Sequence, residues 1–563
     1  MMLRKVLITY ILPSLIILLG FFSYFLNYDR VLNFDWSYFN SFGLVLKSIV
    51  LEYHRFPVHD PWVCGGIDIL SEPQNWVFSP FMITTLFLSP YVANLTSFIL
   101  LSFIGCWGMY KLLKYYKVSD LISIYCSLLF INSSWFGLHI TEGHLTYRDF
   151  LLVPLFVYLV LSLSNIKKLF YASILLCFFL LDGGIYTFIY ALVLVFFLLL
   201  FNMIPIKKLY FDVKIHPITT VLIIIGSLLL SSAKFIPLLT STKLTGRAPQ
   251  VEMTMKDIAL SLFYPLQTNL DLNEMHTIRF HEIGCYIGIL SLAIICFYLL
   301  RKSVWRTYSK EILLALIFFW IATGLGGKIN PGVLLKTIPL INAAHIESRY
   351  FVVFLIFYIV ILAVILNRYI TSKWLLIVIL VVLNLEFLFV RNYSPFIAFQ
   401  ADYNTLAYPR YITKRNLTQT LEYVPKPDVY LLDNIASKEC YEPMVVDSNV
   451  RHTKERRYKG EAYPKGTRGN VDILEFSPGV INAKYHLWRR TGNLVFNTNS
   501  NNSWIVNEPN KIKINSKNLL EVSVANQEGV LKLTYQPWYF YYIISFYLLG
   551  LTLIVIIFWR IHQ

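Results

Sequence analysis

The sequence predicts a polytopic α-helical membrane protein that carries a β-rich domain near its C-terminus. Of its 563 residues, 56% are hydrophobic and only 15% are charged, and the mean hydropathy is +0.57. A soluble domain usually contains about 45–50% apolar residues. Between residues 392 and 537, however, segments such as NLVFNT and NLLEVSV alternate apolar and polar residues. This period of two is typical of antiparallel β-strands.

Apolar runs that could cross a bilayer begin at the N-terminus. The first run follows MMLRK and extends to about residue 26. It resembles a signal sequence but lacks a small-x-small cleavage site, so we expect an uncleaved first helix. The further runs cover residues 82–110, 119–138, 149–165, 169–181, 185–205, 216–234, 283–300, 311–324, 350–366, 374–391 and 538–559. The sequence therefore predicts about twelve transmembrane helices.

Basic residues predict which side of the membrane each loop occupies, because Lys and Arg accumulate in cytoplasmic loops. With the spans above, the basic clusters share one side: Arg4, Lys5, Lys111, Lys114, Lys117, Lys167, Lys168, Lys207, Lys208, Lys214, Arg301, Lys302, Arg306, Lys310, Arg368, Lys373 and Arg560. We expect a multi-pass plasma-membrane protein with both termini in the cytoplasm. The net charge of +16 has the same explanation, so no nucleic-acid partner is expected.

Three regions follow from this topology. Residues 1–391 form the transmembrane domain, residues 392–537 form an extracytoplasmic β-sandwich-like domain, and residues 538–563 form a closing transmembrane helix. The seven cysteines show no paired spacing of the kind that marks a disulfide framework or a zinc site. We therefore expect them to be inert packing residues.

The acidic and histidine side chains that could do chemistry fall on the predicted outer side. They are Asp35, Asp60, Asp68, Glu72, His139, Glu142, His144, Asp182, Glu274, His281, Glu282 and Glu347. No cytosolic nucleotide reaches that face. A group-transfer enzyme there would need an activated donor that is delivered on a lipid.

The first outer loop, residues 27–81, holds two features near its start. FDWSY places Asp35 at the beginning of a helix, and SFGLVLKSIVLEY has the apolar spacing of an amphipathic helix lying along the interface. A carboxylate at a helix start is commonly an N-cap. The alternative is a general base whose pKa is tuned by the neighbouring aromatic rings.

Seven short motifs are distributed along nearly the whole chain. They are FPVHDPWVCGGIDILSEPQNWVFSP (56–80), HITEGHLTYRDFLLVPL (139–155), LDGGIYTF (181–188), LSSAKFIPLL (230–239), EIGCYIGILSL (282–292), GLGGKINPGVLLKTIPLINAAHIESRYF (324–351) and LTYQPWYFYYIISFYLLG (533–550). The set resembles the GT-C superfamily of membrane glycosyltransferases, specifically its YfhO-like bacterial members. This resemblance implies a GT-C-like helical bundle with a catalytic first outer loop.

The resemblance also implies a reaction. A sugar would pass, with inversion, from a polyprenyl-phosphate donor to an extracytoplasmic acceptor, which could be a cell-envelope polymer, a lipid or a protein. Asp35 matches the acidic residue that deprotonates the acceptor in this superfamily. Many GT-C enzymes have a second acidic residue beside it, which FDWSY lacks, so Asp60 is the substitute base.

A leaving phosphate requires cationic hydrogen-bond donors near the outer membrane surface. Arg is better suited than Lys to phosphate oxygens. Arg349, in HIESRY, matches an Arg that recurs in YfhO-like sequences and is the first choice. The further candidates are Lys234, Arg247, Arg279 and Arg148. The alternative for these four is a cation that reaches towards lipid headgroups.

Sugar and acceptor contacts are expected from polar and aromatic residues on the same face: Trp62, Glu72, Gln74, Trp76, His139, Glu142, His144 and Asp182. The two tryptophans would stack on sugar or hold the loop at the interface. The spacing in HITEGH differs from the helical HExxH zinc pattern, so hydrogen bonding to sugar or to the loop is preferred. A divalent metal is the less favoured alternative, and we assign no metal ligand.

Two other function classes stay open. A transporter or lipid flippase would have ionisable groups buried within its spans and helices broken in corresponding halves. The spans here hold few charges, Glu386 being the clearest case. A non-catalytic scaffold that presents the β-domain would explain the membrane anchor but not the set of acidic residues in the outer loops.

Overall fold

The chain is mostly helical as far as Gln400, and strands dominate the region from residue 419 to residue 535. The structure is a computed structural model that describes residues 7–26, 34–162, 166–203, 217–241, 252–267, 280–338, 341, 347–400, 419–421, 433–438, 450–513 and 519–562. Arg247, Arg279 and Glu274 lie outside these residues.

The helices of the first half correspond to the apolar runs. After a π-helical turn at Leu7–Ile11 they are α1 (Leu12–Leu19), α2 (Phe22–Phe25), α3 (Phe34–Leu51), α4 (Met82–Phe87), α5 (Pro90–Tyr115), α6 (Asp120–Ile131), α7 (Ser134–Glu142), a 3-10 helix at Leu145–Leu152, α8 (Val153–Leu161), α9 (Ile166–Leu181), α10 (Ile185–Met203), α11 (Pro217–Leu230) and α12 (Ser232–Ser241).

The remaining helices follow in the same manner. They are α13 (Met255–Phe263), α14 (Phe280–Ile283), α15 (Ile289–Leu299), α16 (Lys302–Thr323), a 3-10 turn at Gly327–Ile329, α17 (Pro331–Leu335), a 3-10 turn at Glu347–Tyr350, α18 (Phe351–Tyr369), α19 (Lys373–Gln400) and α20 (Phe540–His562). Helix α19 continues past residue 391, the end predicted for the transmembrane domain.

Four helical stretches in the described part of the chain are long and apolar enough to cross a membrane. They are Pro90–Tyr115, Asp120–Glu142, Glu347–Tyr369 and Lys373–Phe396. A fifth is obtained if the pair Thr220–Leu230 and Ser232–Leu239, which is bent by 86°, is one broken span. The other apolar helices are shorter. The protein therefore has the composition and helices of a membrane protein, with four or five candidate spans by length.

Helix α18 lies at the centre of the helical part, since every side chain from Phe351 to Leu366 is buried. Helix α5 packs closely against the segment Leu145–Leu161 because it has glycine at its contact points. A Cβ at Gly105 would lie 2.4 Å from the carbonyl oxygen of Leu151, and one at Gly108 would lie 2.6 Å from the Cβ of Leu155. Small residues permit this close approach of helices in membranes.

Helix α3 differs from the expected interfacial helix. Its residues from 36 to 49 are all buried within the protein, including Lys47, whose ammonium donates to the carbonyl of Leu88 at 3.1 Å. The amphipathic spacing was therefore misread. Trp36, Phe39 and Phe42 of this helix, which was expected to be amphipathic, pack against other parts of the protein and not against lipid headgroups.

The strand region contains two four-stranded antiparallel sheets. The strands are β5 (Ala462–Lys465), β6 (Gly469–Ser477), β7 (Val480–Leu487), β8 (Gly492–Asn499), β9 (Trp504–Val506), β10 (Lys511–Lys513), β11 (Leu519–Val524) and β12 (Glu528–Tyr535). Their orders in the two sheets are β10-β11-β8-β5 and β6-β7-β12-β9. In β7, Ile481, Ala483, Tyr485 and Leu487 are buried in alternation with more accessible residues, as the period of two predicts.

The loop between α3 and α4 rests on this strand region. It carries the short hairpin β1 (His59–Asp60) and β2 (Ile67–Asp68), while β3 (Gln419–Leu421) pairs in parallel with β4 (Ile435–Ser437). The amide of Ser437 donates to the carbonyl of Trp62 at 2.7 Å, and that of Asn499 donates to Gly65 at 2.8 Å. Cys64, in the same loop, is disulfide-bonded. This corrects the expectation that every cysteine is an inert packing residue.

Candidate functional site

Seven polar residues meet where the start of α3, the end of α7, α14 and the turn before α18 come together. They form what we call the His–carboxylate cluster: Asp35, His139, Glu142, His144, His281, Glu282 and Arg349. The cluster joins four segments that are far apart in the sequence. It contains one candidate base, one candidate phosphate ligand and three of the candidate sugar ligands.

Gly143 explains how α3 reaches the end of α7. The glycine ends α7 in the left-handed region, with φ of +101°, and a Cβ there would lie 2.4 Å from the amide nitrogen of Trp36. Both the positive φ and the close approach of Trp36 therefore require glycine at position 143. The indole of Trp36 also donates to the carbonyl of Ile140 at 2.8 Å. These contacts place Asp35 beside His144.

Asp35 lies in the first turn of α3, as predicted, and its side chain is 17% exposed. Its Oδ2 lies 3.1 Å from Nε2 of His144. The helix dipole favours a carboxylate at this position. Asp35 is therefore an oriented carboxylate with an imidazole partner and access to solvent.

His139 supports His144 from behind. The Nδ1 atoms of the two rings are 2.8 Å apart, so one of them must donate and the other must accept. The ring of His139 is fully buried and packs against Trp135, with ring centroids 4.2 Å apart. The contact between the two rings therefore orients His144.

Arg349 and Glu282 form a two-pronged ion pair. Arg349 Nε donates to Glu282 Oε2 at 2.8 Å, and Nη2 donates to Oε1 at 2.6 Å. Burial would raise the pKa of Glu282, but the charge of Arg349, aided by His281, holds that pKa well below its usual range. Glu282 is thus an anion. The ring of Tyr147 lies 5.1 Å from the guanidinium of Arg349.

His281 links this ion pair to Glu142. Its Nε2 lies 3.4 Å from Glu282 Oε1, and its Nδ1 lies 3.7 Å from Glu142 Oε2. Burial would lower the pKa of His281, yet the hydrogen bond and charge of Glu282 raise it above the usual value. Sequence reasoning put His281 and Glu282 on the same face but assigned them no role. The adjacent His-Glu pair at the start of EIGCYIGILSL was the available signal.

Arg148 and Asp182 form a second two-pronged pair, apart from this cluster. Arg148 Nε and Nη2 donate to the carboxylate of Asp182 at 2.6 and 2.8 Å, and its Nη1 donates to Ser97 at 2.9 Å. Ser79 also donates to Asp182. Both charged side chains are buried and their hydrogen-bonding groups are engaged within the protein. The predicted phosphate and sugar roles of Arg148 and Asp182 are thus replaced by a structural one.

Lys234, Glu72, Gln74 and Trp76 also pack inside the protein. The ammonium of Lys234 donates to the carbonyls of Glu72 and Asn75, and Trp76 is 1% exposed with its ring stacked on Phe39 at 6.0 Å. Gln74 donates to Thr146 at 3.3 Å. Lys234 thus secures the loop and is withdrawn as a phosphate ligand. Glu72, Gln74 and Trp76 lie in the same packed loop, and their sugar contacts stay predictions.

Asp60 and Trp62 belong to the loop beneath the strand region. Asp60 Oδ1 accepts from the amide of Trp62 at 2.9 Å, which is an Asx-turn contact. Asp60 is 1% exposed, and burial raises its pKa to about 7. Trp62 is also buried. Within the described residues, no ion pair or side-chain hydrogen bond joins Asp60 to the His–carboxylate cluster, so its role as the substitute base stays a prediction.

The first outer loop is therefore divided between two places. Asp35 reaches the His–carboxylate cluster, while residues from 56 to 80 connect the helices to the strand region. Arg349, Glu142 and His144 remain from the predicted ligands, with His139 behind them. No protein-family model and no curated protein sequence matches this chain.

The chemistry open to the cluster follows from its charges. Asp35 can accept a proton, and His144 can stabilise the resulting arrangement through its ring nitrogen. The ion pair of Arg349 uses Nε and Nη2, which leaves Nη1 to meet an anionic ligand. A base and a cation in one cluster suit group transfer to a hydroxyl with an anionic leaving group.

Proposed function

We propose that the chain is a GT-C-type membrane glycosyltransferase similar to the YfhO-like proteins. It moves a sugar from a polyprenyl phosphate to an extracytoplasmic acceptor, a cell-envelope polymer, lipid or protein. The acceptor oxygen bonds to the anomeric carbon as the bond from that carbon to the phosphate oxygen breaks. Asp35 takes the hydroxyl proton, and Arg349 meets the charge that develops on the phosphate.

The contact between Asp35 and His144 carries this proposal. Asp35 is the candidate base whose side chain keeps access to solvent, at 17%, while Asp60 is buried. Its Oδ2 lies 3.1 Å from an imidazole nitrogen. A carboxylate held by an imidazole is the arrangement expected of a positioned general base.

The membrane topology that fits this function has about twelve crossings. In it the shorter apolar helices also cross, tilted or in pairs, and the two four-stranded sheets pack face to face as an extracytoplasmic β-sandwich. The basic loop residues support cytoplasmic termini in the plasma membrane. The disulfide at Cys64 supports an oxidising compartment for the loop and the strand region.

Lipid flipping is a second candidate, favoured by two observations. The helix pair Thr220–Leu230 and Ser232–Leu239 is bent by 86°, as in the broken helices of transporters. The Arg148–Asp182 pair is buried beside the helices, and buried ion pairs often mark transport pathways. A flippase would move the lipid phosphate without cleaving its bond to the sugar.

Sugar transfer in proteoliposomes tests the proposal. The full chain is reconstituted with a panel of radiolabelled polyprenyl-phosphate sugars, and cell-envelope extract serves as acceptor. We expect transfer by the wild type and a loss of about 10²- to 10⁴-fold in Asp35→Asn, because the base contribution is removed. Flipping of a fluorescent polyprenyl phosphate is measured in the same vesicles.

Asp257→Asn is the matched control. Asp257 is also an aspartate in the first turn of a helix, where it forms a capping box with Thr254, and it lies outside the cluster. This variant should keep wild-type transfer. Equal activity in wild type and Asp35→Asn would rule out Asp35 as the base. Flipping without any transfer by the wild type would replace the glycosyltransferase with the second candidate.

A further inference from the structure

Three members of the His–carboxylate cluster have the arrangement of metal ligands. His144, His281 and Glu282 each offer one ligand atom, and these atoms all lie within 4.8 Å of one another. Around a tetrahedral zinc with bonds of about 2.0–2.1 Å, neighbouring ligand atoms are about 3.3 Å apart. The separation of His281 Nε2 and Glu282 Oε1 is 3.4 Å. Small side-chain rotations would bring the third ligand to the same spacing.

The formal charge of the cluster favours a divalent cation. Asp35, Glu142 and Glu282 contribute three negative charges, and Arg349 contributes one positive charge. When the histidines are neutral, as metal binding requires, these four residues leave a net charge of −2. A buried excess of negative charge is costly unless it is paired or bound to a metal. One divalent ion would neutralise it.

The nitrogen Nδ1 of His281 provides an independent observation. It is buried and has no hydrogen-bond partner among the described residues, and the nearest carboxylate oxygen, Glu142 Oε2, lies 3.7 Å away. An unsatisfied buried ring nitrogen costs free energy. With Nε2 as the ligand atom, Nδ1 would carry the proton, and a small rotation of the ring would bring it within hydrogen-bond distance of Glu142.

The surrounding residues would orient the ligands. Metal-bound histidines usually donate their other ring N–H to a neighbour, and His139 Nδ1 lies 2.8 Å from His144 Nδ1 to accept it. Glu282 accepts from Arg349 with both oxygens, but each carboxylate oxygen keeps a second lone pair for a metal. The supporting contacts of a metal centre are therefore present.

We propose that His144, His281 and Glu282 bind a zinc ion. Two imidazoles and one carboxylate suit zinc better than magnesium or calcium, which prefer oxygen ligands. The ion would join α14 to the end of α7 and would bind His144 Nε2, the nitrogen that lies 3.1 Å from Asp35 Oδ2, so Asp35 would face the ion and no longer an imidazole N–H. Zinc binding itself does not depend on the proposed glycosyl transfer. The effect of the ion on the base, Asp35, rests on that proposed function.

Zinc content of the purified full chain is the direct test. Protein in detergent is stripped with a chelator, dialysed against zinc, and measured by mass spectrometry of the metal. We expect about one zinc per chain for the wild type and a loss of at least tenfold in His281→Ala. Zinc should raise the Tm of the wild type but not that of the variant.

Two further variants separate loss of ligand from loss of fold. His144→Gln removes a second ligand and should also lose the ion, while its Tm in chelator should match that of the stripped wild type. His486→Ala changes an exposed histidine of the strand region and should retain the ion. Wild-type stoichiometry in both ligand variants, or no zinc in the wild type, would overturn the site.

The activity assay keeps this proposal distinct from the proposed function. A chain that binds one zinc but transfers no sugar supports the metal site and counts against the glycosyltransferase. Sugar transfer by a wild type that is shown to hold no metal, even after dialysis against zinc, overturns the site and leaves the function standing.

Discussion

Two buried arginine–carboxylate pairs in this protein have nearly the same geometry and different surroundings. Arg148–Asp182 and Arg349–Glu282 both use Nε and Nη2, with bonds between 2.6 and 2.8 Å. The first pair is enclosed, since Ser97 and Ser79 take up its remaining groups. The second continues through His281 to Glu142. The two pairs therefore differ in the residues around them and not in their own geometry. We expect those surrounding residues to decide whether a buried pair has a structural role or belongs to a functional site.

The enclosed pair gives the largest expected effect. Asp182→Asn leaves Arg148 as a buried cation without its counter-charge, which typically costs about 3–5 kcal/mol. We expect much less folded protein and a markedly lower Tm, measured by thermal unfolding in detergent. Arg148→Met combined with Asp182→Leu removes both charges and should recover most of the lost stability. A double variant as unstable as Asp182→Asn would mean that the pair does more than balance charge.

A change in the Arg349–Glu282 pair should lower the activity more than the stability. Arg349→Lys keeps the charge but loses the planar fork, and with it Nη1, which we propose to meet the leaving phosphate. We expect transfer to fall by about 10²-fold, with a Tm close to that of the wild type. The matched control Arg148→Lys should lower the Tm while the activity per folded molecule stays near that of the wild type. If both variants lost only stability, the distinction between the two pairs would fail.

The sequence predicted the helical regions and the strand region well because both depend on local periodicity. Each apolar run contains a helix, and the alternating segments form strands. The prediction for α3 was wrong. The spacing of its apolar residues indicates an amphipathic helix, but it does not show whether lipid or protein covers the apolar face. The disulfide at Cys64 was missed for a related reason, because cysteine pairing depends on contacts between distant segments.

The candidate site was predicted in part. Asp35, His144 and Arg349 could be proposed from motifs near helix ends, where side chains reach the loops. Burial could not be read from the same motifs, so Trp76, Glu72 and Asp182 looked equally available. His281 and Glu282 complete the cluster only because the chain folds them onto α7. Contacts between such distant positions are not encoded in any local pattern.

Asp60 extends the comparison to a buried carboxylate that has no arginine partner among the described residues. Burial raises its pKa to about 7, whereas Arg349 lowers that of Glu282. The folded state therefore binds the Asp60 proton more tightly than the unfolded state, so stability falls as pH rises from about 4 to about 7. Asp60→Asn keeps the Asx-turn acceptor and removes this dependence.

The difference in unfolding free energy between wild type and Asp60→Asn should therefore change with pH. We expect the variant to gain on the order of 2 kcal/mol relative to the wild type between pH 5 and pH 8. Thermal unfolding at several pH values measures it. The slope due to Asp68, whose pKa burial raises to about 6, remains in both proteins and cancels in the difference. A constant difference would mean that Asp60 is ionised in the folded protein throughout this range.

The smallest effect is expected where an arginine fork is accessible to water. Arg55 joins the loop after α3 to the strand region through Glu475 at 2.8 Å, with side chains 31% and 25% exposed. Exposed pairs contribute about 0–1 kcal/mol because water screens them and ordering the side chains costs entropy. Glu475→Gln should therefore change the Tm by little and the transfer activity not at all. Glu475→Gln could instead lower the Tm as much as Asp182→Asn does. Stability would then depend on the contact between the loop and the strand region, and not on how completely the charges are enclosed.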